Sequence, residues 1–311
     1  MTSESPTAIV IGEALIDIVT TDTGAVEHAG GSPMNVSFGL ARLGMGVGFL
    51  ARIGGDARGE LIRHHLESAG VRLLLPPIAG VPTSTANAVI GPDGAATYVF
   101  DIEFSLEGLP DLPPADVVHF GSLGAILEPG ATTVYGLVAA SRDHATISYD
   151  PNVRAKLQGD VAAARDRAET AVRLSDLVKA SDEDVEWLYP GSEPADVAAA
   201  WVALGAGIVV VTAGSAGATV ATADGVITVP SYRVDVVDTI GAGDSFMAAL
   251  IGGLGDLGLL GAERRDALAA IGREGLTALV DRAARAAAIT VSRAGAEPPT
   301  RAELDAFAAV G

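Results

Sequence analysis

The chain has 311 residues, 49% hydrophobic and 19% charged, enough apolar side chain for the core of one large α/β domain or two ordinary ones. Its 20 Lys+Arg against 39 Asp+Glu leave a formal charge of -19, which disfavours nucleic acid and anionic membrane as partners. No cysteine is present, so disulfides, thiolate metal sites and cysteine nucleophiles are excluded together, and a reducing, cytoplasmic setting is expected.

The apolar run that begins at Ala8 lacks a basic start and is interrupted by Glu13 and Asp17, so it predicts a core strand over 8–11 and not a targeting segment. No stretch approaches the roughly 20 apolar residues of a membrane helix. In 15–29, Asp17, Thr20 and Asp22 interleave with Ile16, Ile18 and Val19 as in half-exposed strands. A helix is predicted over 34–43, a strand over 47–50 and a helix over 60–69. A second excursion, 83–104, places two strands around Gly91-Pro92-Asp93-Gly94, which has hairpin turn chemistry. Strands are then predicted over 117–120 and 146–149, a helix over 161–174, a buried strand over 207–212 and a helix over 275–289. This alternation is that of parallel strands joined by crossover helices. The two excursions predict a small antiparallel sheet, which is either a lid over a site or an edge extension of the main sheet.

The segment richest in chemistry is Val234-Asp235-Val236-Val237-Asp238-Thr239-Ile240-Gly241-Ala242-Gly243-Asp244-Ser245-Phe246. It reads as a short strand, a loop with two glycines and the start of a helix with Phe246, Leu250 and Leu254 on one face. Glycines admit a ligand close to the backbone, and the first N–H groups of a helix have no internal partner, so a phosphate suits this turn. Asp244 has two readings there: a cap that favours the helix dipole, or an acceptor for the proton of an attacking hydroxyl. A second glycine turn, Gly30-Gly31-Ser32-Pro33-Met34-Asn35, opens the helix over 34–43 with Ser32 as N-cap and Pro33 at the first helical position. Asn35 offers both a donor and an acceptor to a sugar hydroxyl. The buried strand over 207–212 ends in Ala213-Gly214-Ser215-Ala216-Gly217, a small-residue loop where a nucleotide fits the carboxyl end of a sheet. In Ser148-Tyr149-Asp150-Pro151-Asn152-Val153-Arg154, Arg154 is either a phosphate or substrate ligand or a surface ion pair.

Absences narrow the chemistry. No Gly-x-x-x-x-Gly-Lys-[Ser/Thr] occurs and only Lys156 and Lys179 are lysines, which excludes a phosphate-loop NTPase. Gly12-Glu13-Ala14 stands where a dinucleotide fingerprint would follow the first strand, so an oxidoreductase is disfavoured. Neither a Gly-x-Ser-x-Gly elbow nor a His-Glu-x-x-His pair is present, and the histidines, His119 included, read as structural.

Taken together these segments resemble the PfkB family of carbohydrate kinases over nearly the whole length, and within it the bacterial fructokinases. The resemblance is carried by Gly30-Gly31-Ser32-Pro33-Met34-Asn35-Val36 with Gly39-Leu40-Ala41-Arg42-Leu43-Gly44, by Arg52-Ile53-Gly54-Gly55-Asp56 with Gly59, and by Asp238-Thr239-Ile240-Gly241-Ala242-Gly243-Asp244. It implies an α/β, ribokinase-like fold with a mostly parallel central sheet, a core of 1–14, 30–82 and 105–311, and a lid of 15–29 and 83–104. It implies that Asp244 is the base, and that the N–H groups of Gly241, Ala242, Gly243 and Asp244 form the anion hole. Asp17, Gly30, Gly31, Asn35, Phe100 and Arg154 would surround the sugar, with Phe100 and Phe104 as its apolar wall. ATP would be bordered by Lys179, Ser181, Thr212, Gly214, Ser215, Gly217 and Gly243, with Mg²⁺ bridging its phosphates and Ala284 facing its base. Asp184 matches a position that helps organise Mg²⁺ in relatives, where it is Glu. Asp238, Ile240, Thr290, Arg293 and Gly295 match a K⁺ site built from backbone carbonyls. The strand Tyr98-Val99-Phe100-Asp101-Ile102-Glu103-Phe104 carries two acids and no arginine, which favours fructose or a similar neutral ketohexose over 2-keto-3-deoxygluconate. A ribokinase-type activity and a catalytically silent sugar or nucleotide sensor are the alternatives, and the lid implies a homodimer.

Overall fold

A computed structural model describes residues 6–21, 24–90, 96–106 and 112–307. The strands are β1 (Thr7–Ile11), β2 (Leu15–Thr21), β3 (Gly24–Gly30), β4 (Gly46–Leu50), β5 (Arg72–Leu73), β6 (Thr85–Ile90), β7 (Ala96–Asp101), β8 (Val117–Gly121), β9 (Thr146–Asp150), β10 (Leu177–Ser181), β11 (Ile208–Thr212), β12 (Ala218–Thr222) and β13 (Gly225–Val229). The helices are α1 (Ser32–Arg42), α2 (Ala57–Ser68), α3 (Gly130–Ser141), α4 (Ala155–Gln158), α5 (Val161–Leu174), α6 (Asp182–Leu188), α7 (Pro194–Ala203), α8 (Ala242–Asp256), α9 (Arg265–Ala269), α10 (Arg273–Val291) and α11 (Arg301–Ala306).

A nine-stranded sheet runs β13-β12-β11-β10-β9-β8-β1-β4-β5, parallel from β11 to β5 and antiparallel at β12 and β13. Its central strands are buried along nearly their whole length because both faces are covered. Along β1, Ala8 and Val10 join one core with Met34, Leu40, Phe246, Leu250 and Val280, while Ile9 and Ile11 join the other with Phe120, Tyr149 and Trp201. From β1 the chain moves outward to β4 on one side and later to β8 on the other. This reversal is the switch point where open α/β sheets bind ligands beyond the carboxyl ends of their strands.

The two excursions form a separate four-stranded sheet, β3-β2-β6-β7, and do not extend the main sheet. It is mixed, not antiparallel: β2 pairs parallel with β6, because both strands leave the core in the same direction, and each pairs antiparallel with its own hairpin partner. Asp22 and the Gly91-Pro92-Asp93-Gly94 turn lie outside the described residues. Two further expectations are corrected. Residues 234–238 form no strand; Val236 and Val237 are exposed, and the N–H groups of Val237 and Asp238 donate to the Val291 carbonyl. The N-cap of α1 is Gly31, which leaves Ser32 inside the helix with its hydroxyl free for a distant partner. No helix among the described residues is long and apolar enough to cross a membrane.

Candidate active site

At the carboxyl ends of the parallel strands opens a cavity of about 850 Å³. β1 brings Glu13 to its floor, β10 brings Lys179 and Ser181, β11 brings Thr212, and the small sheet brings Asp17, Ala86 and Phe100. A smaller cavity of about 110 Å³ adjoins it, shares Thr212, Gly214 and Gly243, and is walled by Val280, Ala284 and Ala287 of α10.

The turn before α8 places Asp244. Gly241 caps the helix in a left-handed conformation, φ +74°, which a glycine adopts without a Cβ penalty, and a β-carbon there would stand 2.5 Å from that of Ala296. Asp244 is the third residue of α8 and its carboxylate turns away from the helix. Oδ1 accepts from the Ser32 hydroxyl at 2.6 Å and Oδ2 from Asn35 Nδ2 at 2.8 Å. The capping reading of Asp244 is therefore corrected: no side chain caps α8, and two donors from α1 hold its carboxylate instead. Apart from that of Ala242, which reaches the Thr239 carbonyl at 3.4 Å, the first N–H groups of the helix remain for an anion.

Behind this turn, Lys179 Nζ donates to Asp150 Oδ2 at 3.0 Å, with both side chains buried. A β-carbon on Gly243 would meet the same Nζ at 2.8 Å, so the ammonium lies against the turn. Burial pushes Asp150 up to about 6, offset in part by the Lys179 charge. Burial works against the Lys179 ammonium, but Asp150, Asp184 and Asp244 outweigh it and its pKa is raised.

Across the cavity, burial pushes Asp17 up to about 6, opposed by the charges of Arg154 and His28. Arg154 is exposed and bonds Asn152 Oδ1 at 2.7 Å together with the Asn152 and Val153 carbonyls, not an acidic side chain. Asp184 is buried, and both of its oxygens are taken by backbone donors, Oδ1 by Val153 N and Oδ2 by Ser181 N. Among the described residues no group of three or more His, Cys, Asp or Glu could hold a metal ion.

Of the residues expected from sequence, Asp17, Gly31, Asn35, Phe100, Arg154, Lys179, Ser181, Asp184, Thr212, Gly214, Ile240, Gly241, Gly243 and Asp244 line the larger cavity, and Ala242 and Gly217 the smaller. Gly30, Ser215, Asp238, Thr290, Arg293 and Gly295 line neither. Thr290 is buried against Ser245, Arg293 pairs with Glu303, and Asp238 accepts from the N–H groups of Ile240 and Gly295. Phe104 is a correction: it is buried in the core, where α3 begins at Gly130, and forms no wall of the cavity. Glu103 is another, since Arg52 neutralises it at 3.1 Å, so it contributes no free charge near the sugar position. His119 is buried against Ser148 and its pKa falls to about 3 through burial, as a structural histidine requires.

Glu13, Ser32 and Asp150 were not singled out from sequence as site residues. Glu13 is buried, accepts from Gly124 N at 2.9 Å, and is pushed up by burial to about 7, against hydrogen bonds from Ser122 and Gly124 and the charge of Arg154. Its folded pKa lies above its ordinary 4.5, so the folded protein holds a proton that the unfolded chain releases, and this contribution to stability is lost as pH rises toward 7. Glu13→Gln removes the ionisation. Its melting temperature relative to the parent should climb by about 5 °C between pH 5 and pH 7.5 and then level off. Melting curves that stay parallel over that range would rule the buried proton out.

The pfkB family carbohydrate kinase model matches residues 6–303. A fructokinase of Rhizobium leguminosarum bv. trifolii is 36% identical over 255 residues, 78% of each chain. The structure of a fructokinase from Xylella fastidiosa with bound ATP superposes with a TM-score of 0.85 at 25% identity, covering 96% of both chains. A fructokinase of Vibrio cholerae O395, solved with fructose, ADP and potassium, shares the fold with a TM-score of 0.80 at 24% identity, over 98% of this chain and 99% of that one. Three motifs in order, the switch-point cavity that two of them line and these likenesses agree: the chain belongs to the pfkB family of carbohydrate kinases.

Proposed function

We propose that this protein transfers the γ-phosphoryl group of ATP to a hydroxyl of a neutral ketohexose, with fructose as the best candidate. The observation that carries the mechanism is Asp244. Its carboxylate faces the cavity from the first turn of α8, oriented by Ser32 and Asn35, within one residue of the Gly241–Gly243 backbone. A sugar hydroxyl bound between Asp17, Asn35 and Phe100 gives its proton to Asp244 as it attacks phosphorus, and the terminal phosphoryl oxygens rest on the N–H groups of Gly241 to Asp244. Phosphoryl transfer needs little covalent help, so positioning and charge stabilisation supply most of the rate.

The triphosphate extends past Lys179 and Ser181 along Thr212, Gly214, Ser215 and Gly217, and the base enters the smaller cavity beside Ala284. When bound, Mg²⁺ would neutralise the phosphate charge. Asp184, both of whose carboxylate oxygens accept from backbone N–H groups, would reach the ion through bound water. For K⁺, the support is that Asp238 accepts from the N–H groups of Ile240 and Gly295 and so joins the two segments, 238–240 and 290–295, that would supply the carbonyls of Asp238, Ile240, Thr290, Arg293 and Gly295. The small sheet acts as the lid. Val19 and Val26, opposite each other in its register, are exposed and give a second copy of the chain an apolar surface to pair with.

A neutral sugar is favoured because the cavity offers an apolar ring in Phe100 and a single guanidinium, Arg154, already bonded to Asn152. The test is ADP release with ATP, Mg²⁺ and, separately, fructose, ribose, 2-keto-3-deoxygluconate and adenosine. Fructose should give the highest kcat/KM. A higher value for 2-keto-3-deoxygluconate would reassign the substrate through Arg154, and no sugar-dependent ADP above an Asp244→Asn control would overturn the kinase reading in favour of a sensor.

A further inference from the structure

One family motif, Arg52-Ile53-Gly54-Gly55-Asp56 with Gly59, contributes nothing to the cavity lining, yet three charged side chains in this stretch reach one strand of the small sheet and the roots of two others. Arg52 is buried and donates to the Glu103 carboxylate at 3.1 Å and to its carbonyl at 3.5 Å, just beyond the end of β7. Asp56 caps α2 through Gly59 N, and also accepts from Thr83 N at 2.9 Å and the Thr83 hydroxyl at 2.6 Å, just before β6. Arg58 donates to Glu27 of β3 at 3.0 and 2.5 Å.

The backbone completes the arrangement. Gly55 N donates to Ile78 O and Ile78 N to Ile53 O, which seats the segment leading to β6 against the motif. At Gly54 a β-carbon would stand 2.4 Å from Val81 O and 2.5 Å from Thr83 N, so only glycine permits the approach. Ser84 Oγ lies 3.3 Å from both the N–H and the carbonyl oxygen of Glu103, joining the roots of β6 and β7, and the Ser84 carbonyl accepts from Ile16 N of β2. The hydrogen bonds from Thr83 and Gly59 outweigh burial and hold the Asp56 carboxyl down at about 2, so this anchor stays ionised at any working pH.

We infer that the loop from Arg52 to Arg58 is the fulcrum of the small sheet, and that Arg52 and Asp56 are positioning residues which set the height of Phe100 and Ala86 over the sugar without touching it. Resting on the kinase reading above, this assigns the motif a role in sugar affinity and in coupling closure to turnover, distinct from nucleotide binding.

The test compares Asp56→Ala, Asp56→Asn and the milder Thr83→Val with the parent in two measurements. Hydrogen exchange of amides 84–90 and 96–104 needs no activity, and Asp56→Ala should accelerate it about tenfold, with amides of β9 to β11 unchanged. In kinetics, Asp56→Ala should raise the KM for fructose about tenfold and leave the KM for ATP within about twofold, with Asp56→Asn intermediate because its one amide oxygen still accepts from Thr83. If Asp56→Ala fails to fold, Thr83→Val carries the same comparison with a smaller change. Unchanged exchange at the roots of β6 and β7, or equal rises in both KM values, would overturn the fulcrum. A parent protein inactive on every sugar would overturn the substrate reading, and hydrogen exchange would still decide the anchor.

Discussion

Replacing Asp244 by asparagine should lower kcat with fructose and ATP by about 10³-fold, within the range that a positioned general base contributes. The substitution is nearly isosteric and removes proton acceptance. Ser32 can still donate to the amide oxygen, whereas Asn35 Nδ2, 2.8 Å from Oδ2 in the parent, would face an NH₂ group and must turn its own amide to recover a bond. The loss should therefore appear in turnover, and calorimetric affinities for fructose and for ATP should stay within about threefold of the parent. Ser32→Ala is the informative companion. It leaves the base in place and removes one of the two orienting donors, so kcat should fall by about tenfold, a far smaller loss than for Asp244→Asn. If Asp244→Asn keeps more than a tenth of parental kcat, the proton has another acceptor, and Asp17 would be the next candidate.

The contrast between these two residues also shows how far sequence alone reaches. The turn Gly241-Ala242-Gly243-Asp244 is legible because everything it needs is local: a glycine free to take positive φ, small residues at the helix start, and an acid one turn in. Ser32 looks like a cap by the same local logic, but its partner lies 212 positions away and no local pattern encodes that distance. The fold divides along the same line. The helix predicted over 161–174 is found at Val161–Leu174, since Asp160 caps it and Ala164, Ala168, Ala171 and Val172 supply a single buried face. Strands β8 and β9 are buried along their whole length, yet β9 reads Thr146-Ile147-Ser148-Tyr149-Asp150, and its polar members are legible only through partners inside the sheet, Ser148 with His119 and Asp150 with Lys179. Residues 234–238 have the valines of a strand but no neighbouring strand to pair with, and pairing is decided by the rest of the sheet. The acids after Phe100 suggest an electrostatic barrier to a charged sugar, and only the fold brings Arg52 across 51 positions to cancel Glu103.

Lys179→Met should destabilise the protein by about 3 kcal/mol at pH 7.5, the low end for breaking a buried ion pair. The ammonium is the cation that Asp150, Asp184 and Asp244 all face, and it is bonded directly to Asp150. Methionine of similar length fills the space without the charge, so the buried Asp150 carboxyl must take up a proton or stay ionised in a low-dielectric site. The pH dependence separates this from a simple loss of packing. In the parent, the Asp150 pKa of about 6 lies above its ordinary 3.8, so its contribution to stability declines as pH rises through that window and is constant above it. Without Lys179 the folded pKa moves higher still, and the decline continues past pH 7. The gap in melting temperature between parent and variant should therefore widen between pH 6 and pH 8, reaching about 5 °C, with circular dichroism at 20 °C unchanged. A gap of the same size at both pH values would mean that Lys179 acts through volume alone. A widening gap would establish that the floor beneath the Gly241–Asp244 turn is held by charge, which is the condition for an acidic protein to receive a triphosphate there.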